Sequence, residues 1–405
     1  MKLISLLVFT GVINAQCSQL RVRKEIRELS EGELREFTDA VNQMHQTRKP
    51  GFQSMSVYEY FTYIHNNNAH GVHSSPAFLP WHRYFIRLFE IELQRINPNV
   101  MLPYWDWSLD ASEPHRSPVL SGRIMGGNGV GSNRCVRDGA FADWQMSYPD
   151  RHCLRRDYNN GNRLSSFSSP ESILLDINTN QFSSFAMQFE IKHGRPHNAI
   201  GGRIGDFSYM YSPNDPLFFL HHAFVDLVWE KWQQRHPNSP YEGSRFGTRA
   251  SSEDRLTGLG ATVRDTLQTR NGFYCYTYPS YPRVITTRRT PQRIRASANT
   301  ILSANPFTAR NFETNNINSA LSRVALQSSL SIAATEPNEF PLLKVPGNLT
   351  KEFIRDNNYN PREVHHVQNR ERELVERLNQ AAGFRSLSSV QDVINSFEES
   401  EKSDL

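Results

Sequence analysis

Pro80–Ile96 has the sequence PWHRYFIRLFEIELQRI. One histidine and several apolar residues recur in it at steps of three or four, so a helix would carry them all on one face. That face consists of His82, Phe85, Phe89, Leu93 and Ile96. Such a helix would place its histidine inside a protein core.

Three other segments repeat this arrangement of an apolar helical face with a histidine. They are Tyr58–His65, Phe182–His193 and His222–Trp232. Four faces of this kind predict a four-helix bundle whose histidines converge inside it. We therefore expect a mainly α fold with long loops and little β structure.

The composition excludes several classes of protein. The chain has 405 residues, of which 38% are hydrophobic and 21% charged, as in a soluble globular protein and unlike a disordered chain or a coiled-coil rod. A net charge of only +4 offers no basic surface for a phosphate backbone, so we expect no nucleic-acid partner. After the N-terminus no apolar run approaches the ~20 residues that a membrane span needs.

The two ends of the chain differ from its centre. Residues 1–15 combine Lys2, an apolar run and Ala15, which is typical of a signal peptide and predicts a secreted, extracellular protein. Residues 16–282 are rich in aromatic residues and form the predicted catalytic domain. Residues 283–405 begin as a low-complexity linker and end in two helical patterns, so this tail is expected to be partly disordered or helical, with its role left open.

Secretion also bears on the cysteines and on glycosylation. An even number of cysteines, four in this chain, predicts two disulfides in an oxidising compartment. Of three possible pairings we expect Cys17–Cys275 and Cys135–Cys153. Asn348 begins an N-x-[ST] motif and is the predicted glycosylation site.

The histidines form two clusters along the sequence. His193 and His197 are one helical turn apart, so both rings can face one ion. There is no H-E-x-x-H motif, which disfavours a zinc protease, and the single E-x-x-H is one short of a carboxylate-bridged di-iron bundle. With the cysteines committed to disulfides, a site built from imidazole alone suits copper.

Four motifs carry a resemblance to a known family. They are Ser75–Arg83 (SPAFLPWHR), Leu102–Trp107 (LPYWDW), Gln188–Gly202 (QFEIKHGRPHNAIGG) and Ser212–His222 (SPNDPLFFLHH). Their sequences and order resemble the copper motifs of the type-3 dicopper proteins, which comprise tyrosinases, catechol oxidases and molluscan haemocyanins. The similarity covers about residues 40–280 and suggests a secreted, invertebrate-type tyrosinase-like protein.

This resemblance implies two copper ions, each with three histidine ligands. The first ion is expected at His65, His73 and His82, and the second at His193, His197 and His222. His221 is expected beside the second ion without binding it, and His70 is left out as a loop residue. Asp226, one turn beyond His222, is expected to accept the ring N–H of a ligand.

The resemblance also assigns roles near the metals. Glu190 matches a glutamate that orients a proton-accepting water. Gly194 stands where efficient monophenol hydroxylases often have asparagine, which puts strong monophenolase activity in doubt. Tyr209 falls near the position that gates substrate access.

The implied function is the oxidation of o-diphenols to o-quinones by dioxygen, with monophenol hydroxylation uncertain. Melanin formation and tanning of an extracellular matrix are both plausible uses of the quinones. The alternative is a haemocyanin-like protein that binds oxygen reversibly; a matrix protein that has lost its copper is disfavoured by six intact ligand positions.

Overall fold

The computed structural model describes residues 17–282 except positions 18, 53, 246 and 271, together with residues 342–380 and 392–397. The predicted signal peptide and the linker at 283–341 lie outside the described residues. Among the described residues the helices of six residues or more are α1 Glu31–Gln46, α2 Val57–Val72, α3 Phe78–Ile96, α4 Pro170–Ile177, α5 Phe182–Gly201, α6 Leu217–Arg235, α7 Lys351–Asp356, α8 Pro361–Gln380 and a last one at 392–397. None of them is both long and apolar enough to cross a membrane.

Side-chain caps begin the first two helices. Ser56 accepts a hydrogen bond from the backbone N–H of Glu59, and the Glu59 carboxylate accepts one from the N–H of Ser56. Ser30 and Glu33 form the same reciprocal pair at the start of α1. Each pair satisfies two backbone donors that a helix start otherwise leaves without partners.

Helices α2, α3, α5 and α6 enclose the largest apolar core. Aromatic rings fill it: Phe89 of α3 stacks on Phe219 of α6 with ring centroids 3.5 Å apart, and Phe61 of α2 meets Phe89 edge-on. The predicted four-helix bundle is confirmed, and the periodic segments found in the sequence are its helices.

The described β structure is confined to two-residue strands. They are β1 Arg21–Val22, β2 Gln145–Met146, β3 His152–Cys153, β4 Ser244–Arg245, β5 Thr248–Arg249, β6 Arg255–Leu256, β7 Ala261–Thr262 and β8 Tyr276–Thr277. Strand β1 pairs with β8 in parallel. Strand β2 pairs with β3, β4 with β5 and β6 with β7, and these three pairs are antiparallel. The expectation of little β structure is therefore confirmed.

Two disulfides fasten the loops around the bundle, with the predicted pairing. Cys17 bonds to Cys275 beside the β1–β8 pair, and Cys135 bonds to Cys153 at the end of β3. The first joins the two ends of the segment 17–282, and the second closes a loop between α3 and α4.

Residues 342–380 fold back onto the bundle and belong to the same compact unit as the catalytic segment. Leu374 of α8 packs against Leu175 of α4, and Val364 packs in a cluster with Ile191 of α5. The first of the two helical patterns predicted in the tail is thus a helix, α8. Asn348 is exposed, and its glycosylation stays a prediction.

Candidate metal centre

The first group of histidines comes from α2, α3 and the turn between them. His65 lies on the third turn of α2, His73 directly follows that helix, and His82 lies on α3. Their ligand atoms all lie within 4.8 Å of one another, and the Nε2 atoms of His65 and His82 are 3.3 Å apart. One metal ion would therefore be within reach of all three rings.

The second group comes from α5 and α6. His193 and His197 are one turn apart on α5, and His221 and His222 are adjacent on α6. The ligand atoms of all four lie within 4.8 Å of one another. The groups adjoin, because the ring of His82 stacks on that of His222 with centroids 4.2 Å apart.

Backbone carbonyls hold four of these rings by their Nδ1 atoms. The pairs are His65 with Met210 at 2.6 Å, His82 with Phe78 at 2.8 Å, His193 with Glu190 at 2.8 Å and His197 with Phe207 at 2.7 Å. A carbonyl only accepts hydrogen bonds, so each Nδ1 carries the proton and each Nε2 has a free lone pair. This tautomer is the one that a metal ion at Nε2 requires.

All seven rings are buried and held neutral. Burial lowers the pKa of His65 and of His193 to about 3, and it takes the pKa values of the other five well below the usual range. Buried polar atoms normally have a partner, yet both ring nitrogens of His73 and of His222, and Nε2 of His193, have none. In the described part of the chain the two groups contain no carboxylate or thiolate, which fits copper as the ion.

His221 belongs to the second group, although the sequence predicts it only as a neighbour of the second ion. Its ring is fully buried, stacks on His193 with centroids 5.1 Å apart, and has no hydrogen-bond partner at either nitrogen. By distance alone, four histidines could bind the second ion. The assignment of His222 as ligand and His221 as neighbour stays a prediction.

Asp226 requires a correction, because it does not hold a histidine. Its carboxylate pairs with Arg83 and accepts hydrogen bonds from Tyr278 at 2.8 Å and from Arg23 at 3.2 Å. Tyr276 donates to it as well. Two buried guanidinium groups hold this carboxylate, and the Nδ1 atom of His222, one turn away, has no hydrogen-bond partner.

The predicted substrate residues lie near the second group but differ in their surroundings. The Glu190 Oε1 atom accepts a hydrogen bond from the backbone N–H of Ser74 at 2.8 Å, next to His73. Glu190 also lines a cavity of ≈ 460 Å³. The Tyr209 hydroxyl donates to the carbonyl of Arg203 at 2.5 Å, and its ring stacks on that of Tyr211. Its gating role stays a prediction.

Sequence reasoning missed the two rings that cover Gly194. A Cβ atom at this position would lie 3.0 Å from Phe353 and 3.4 Å from Tyr359, both in the C-terminal segment. No periodicity links residue 194 to residues more than 150 positions away, so only the folded chain brings them together. His70, left out of the ligand sets as a predicted loop residue, lies instead in the last turn of α2 and is exposed.

A helical bundle that holds two adjoining groups of neutral imidazoles defines a dinuclear copper protein. Comparisons with known proteins give the same class. Residues 55–235 match the common central domain of tyrosinase. The chain is 32% identical to Tyrosinase ustQ of Aspergillus flavus over 306 residues, which is 68% of this chain and 85% of that protein.

The chain is also 34% identical to a tyrosinase of Streptomyces antibioticus over 248 residues, 55% of this chain and 86% of the relative. Among solved structures, a polyphenol oxidase from Thermothelomyces thermophila matches with a TM-score of 0.57 at 23% identity, covering 66% of this chain and 91% of the other. The chain belongs to the tyrosinase family, whose members bind two copper ions and are copper oxidoreductases.

Proposed function

We propose that this protein is a secreted oxidase that uses dioxygen to convert o-diphenols into o-quinones, with little hydroxylation of monophenols. The observation that carries the proposal is the pair of adjoining imidazole groups in a buried core, in which the Nε2 atoms of His73, His193 and His222 have no hydrogen-bond partner. When bound there, two copper ions would supply dioxygen binding and the transfer of electrons. In the balanced reaction, two catechols each lose two electrons and two protons, and one dioxygen becomes two waters.

The protein's own contribution begins with rigid placement of the ligands. His193 and His197 are held by carbonyls on their own helix and on the loop after it, and the two histidines of α6 are buried in the bundle. Ligand rings fixed in this way need no rearrangement during the reaction. Burial also keeps bulk water from the reacting atoms.

Glu190 is the residue that best fits the role of orienting a water that accepts the phenol proton. Its carboxylate is anchored by the Ser74 N–H and borders the cavity, so a phenol there would have an oxygen acceptor beside it. We expect Glu190→Gln to retain its copper and to lose turnover of monophenols before that of catechols. Copper analysis and steady-state rates test this, with Glu253→Gln as the control because that carboxylate is exposed and paired with Arg264. Loss of copper in Glu190→Gln would contradict the role.

Gly194 supports the preference for o-diphenols. The position has no amide side chain, and Phe353 and Tyr359 occupy the space where one would extend. Position 194 therefore offers no second side chain that could hold the proton-accepting water together with Glu190. Gly194→Asn alone would collide with Phe353, so the test of monophenol activity needs Gly194→Asn combined with Phe353→Ala.

One assay on the purified protein tests the function. Copper content is measured first, and oxygen uptake and quinone absorbance are then followed with catechol and with a monophenol. We expect two copper ions per chain, quinone from catechol and slow turnover of the monophenol. Bound copper with reversible oxygen binding and no quinone would favour the haemocyanin-like alternative, and a protein without copper affinity would exclude both.

A further inference from the structure

Two of the predicted ligand rings are held by their own helices. His82 donates from Nδ1 to the carbonyl of Phe78, four residues earlier on α3. His193 donates from Nδ1 to the carbonyl of Glu190, three residues earlier on α5. Because each donor and its acceptor belong to one helix, the orientation of these two rings depends only on the local turn of that helix.

Two other ligand rings depend on a single segment outside their helices. His65 of α2 donates to the Met210 carbonyl at 2.6 Å, and His197 of α5 donates to the Phe207 carbonyl at 2.7 Å. The ring of Phe207 also stacks on that of His197, with centroids 4.4 Å apart. We name residues 206–211, which lie between α5 and α6, the carbonyl segment. This one segment orients a ring in each histidine group, because His65 belongs to the first group and His197 to the second.

A buried carboxylate fastens the carbonyl segment at its first residue. His152 donates from Nε2 to Asp206 Oδ1 at 2.6 Å, and both side chains are buried. The same oxygen accepts a hydrogen bond from Asn214 Nδ2 at 3.1 Å, and Oδ2 accepts one from the backbone N–H of Arg155 at 2.7 Å. Asp206 therefore ties the segment to β3, to the residues after β3 and to the residues that lead into α6.

The rest of the carbonyl segment is short and only partly covered. Residues 206–208 form a single helical turn in which Asp206 and Phe207 are buried, whereas residues 208–211 are half-buried. Surface segments of this kind open locally more readily than core helices, unless buried contacts fix them. The hydrogen bonds of Asp206 are such contacts, and they precede the Met210 carbonyl by one turn of chain.

We propose that Asp206 and His152 are positioning residues for both copper ions, because they fix the carbonyl segment that orients His65 and His197. Hydrogen bonds behind a metal ligand set the orientation of its ring, and their loss weakens metal binding by about 10–100-fold. Here one buried pair supports a ligand ring in each group, so its loss weakens the binding of both ions together. The inference rests on the copper binding of the proposed function and not on the oxidation of a phenol.

Magnetic resonance of the copper-free protein tests the step from Asp206 to the rings. The nitrogen chemical shifts of a histidine ring report which nitrogen carries the proton, and the hydrogen bond at Nδ1 selects that tautomer. We expect Asp206→Ala to turn the single tautomer of His65 and of His197 into a mixture. His82 and His193 are the internal control and should keep theirs, because their carbonyls lie in their own helices. If all four rings stay unchanged, or all four change alike, Asp206 does not act through the carbonyl segment.

Titration with cuprous ion against a competing chelator tests the step from the rings to the metal. We expect Asp206→Ala to weaken the binding of both ions by about tenfold, the lower end of the range for residues that support a ligand. The matched control is Asp110→Ala, which removes a carboxylate outside the carbonyl segment that also accepts hydrogen bonds from three residues. They are Arg27, Trp105 and Ser117. An equal loss of affinity in the two variants would overturn the proposal, because it would indicate general destabilisation.

Variants of His152 decide the question if Asp206→Ala does not fold. His152→Ala removes one of the donors to Asp206, and His152→Gln restores an N–H donor at about the position of Nε2. We expect the copper affinity of His152→Ala to lie between those of wild type and Asp206→Ala, and that of His152→Gln to return towards wild type. If His152→Ala binds both ions as wild type does, or weakens only one of them, the proposal is wrong. If the wild-type protein binds copper and makes no quinone from catechol, the proposed function alone is wrong.

Discussion

Helix α6 carries two buried polar clusters only four residues apart, and they are built in opposite ways. Around His222 the rings are neutral, and several nitrogens have no partner. Around Asp226 the carboxylate pairs with Arg23 and Arg83, and two tyrosines donate to it. A buried group without a partner indicates a missing ligand, whereas a fully paired charge indicates a structural role.

The largest effect is expected on metal binding, at the cluster around His222. We expect His222→Leu, which removes the ligand atoms and nearly keeps the volume, to lose one copper per chain. Oxidation of catechol should then fall by more than about 100-fold, the upper range for a residue that only supports a ligand. Metal analysis and oxygen uptake measure both, and retention of two copper ions would contradict the assignment of His222.

The next largest effect is expected on the stability of the fold, at the cluster around Asp226. Asp226→Asn leaves Arg23 and Arg83 buried without their counter-charge, so the free energy of unfolding should fall by about 3–5 kcal/mol. Denaturant titration of the copper-free protein measures it. Asp143→Asn is the control, because that carboxylate forms an exposed pair with Arg137 worth at most about 1 kcal/mol. Equal effects in the two variants would refute the structural role of Asp226.

A third buried polar cluster combines features of both, because it contains a histidine that is paired with a carboxylate. His152 Nε2 lies 2.6 Å from Asp206 Oδ1. Burial acts to lower the pKa of His152, but the hydrogen bond and charge of Asp206 outweigh it and raise the pKa. A raised pKa stabilises the fold fully below the unfolded value near pH 6.5, and this stability is lost as pH rises through the folded value.

His152→Gln keeps a hydrogen-bond donor and cannot titrate. We expect this variant to be less stable than wild type by about 1–2 kcal/mol at pH 5.5, the scale of a hydrogen bond to a charged group. The difference should shrink towards pH 8. Unfolding curves of both copper-free proteins across this range measure it, and a difference independent of pH would show that His152 is not protonated in the pair.

The smallest effect is expected at His221, the neighbour of the predicted ligand. Its ring makes no hydrogen bond, so His221→Leu removes no paired polar group and should change stability by less than about 1.5 kcal/mol. Both copper ions should remain bound. Compared with His222→Leu, this variant decides which of the two adjacent histidines binds the second ion; loss of copper from His221→Leu would assign the ligand to His221.

Much of the bundle could be predicted from spacing. The step of three or four that begins at His82 is the face that α3 buries, and the pair His193 and His197 share one face of α5 as a helix requires. The predicted disulfide pairing, one of three that four cysteines allow, is the one observed. The helical faces depend on spacing within one element, and the disulfides allow only a small number of pairings.

Asp226 shows where this reasoning failed. Its position one turn after His222 suggested a partner for a ligand ring, but its actual partners come from residues 23, 83, 276 and 278. Helical spacing says which residues share a face, and it says nothing about which distant charges are buried against that face.

The sequence by itself determined the helices and most of the histidines that form the two groups, because periodicity and residue chemistry are local. Only the tertiary structure decided which atoms hold the rings, that His221 lies within the second group, and that Phe353 and Tyr359 cover Gly194. Those contacts join residues far apart in the chain, and they form only when folding buries these groups against one another.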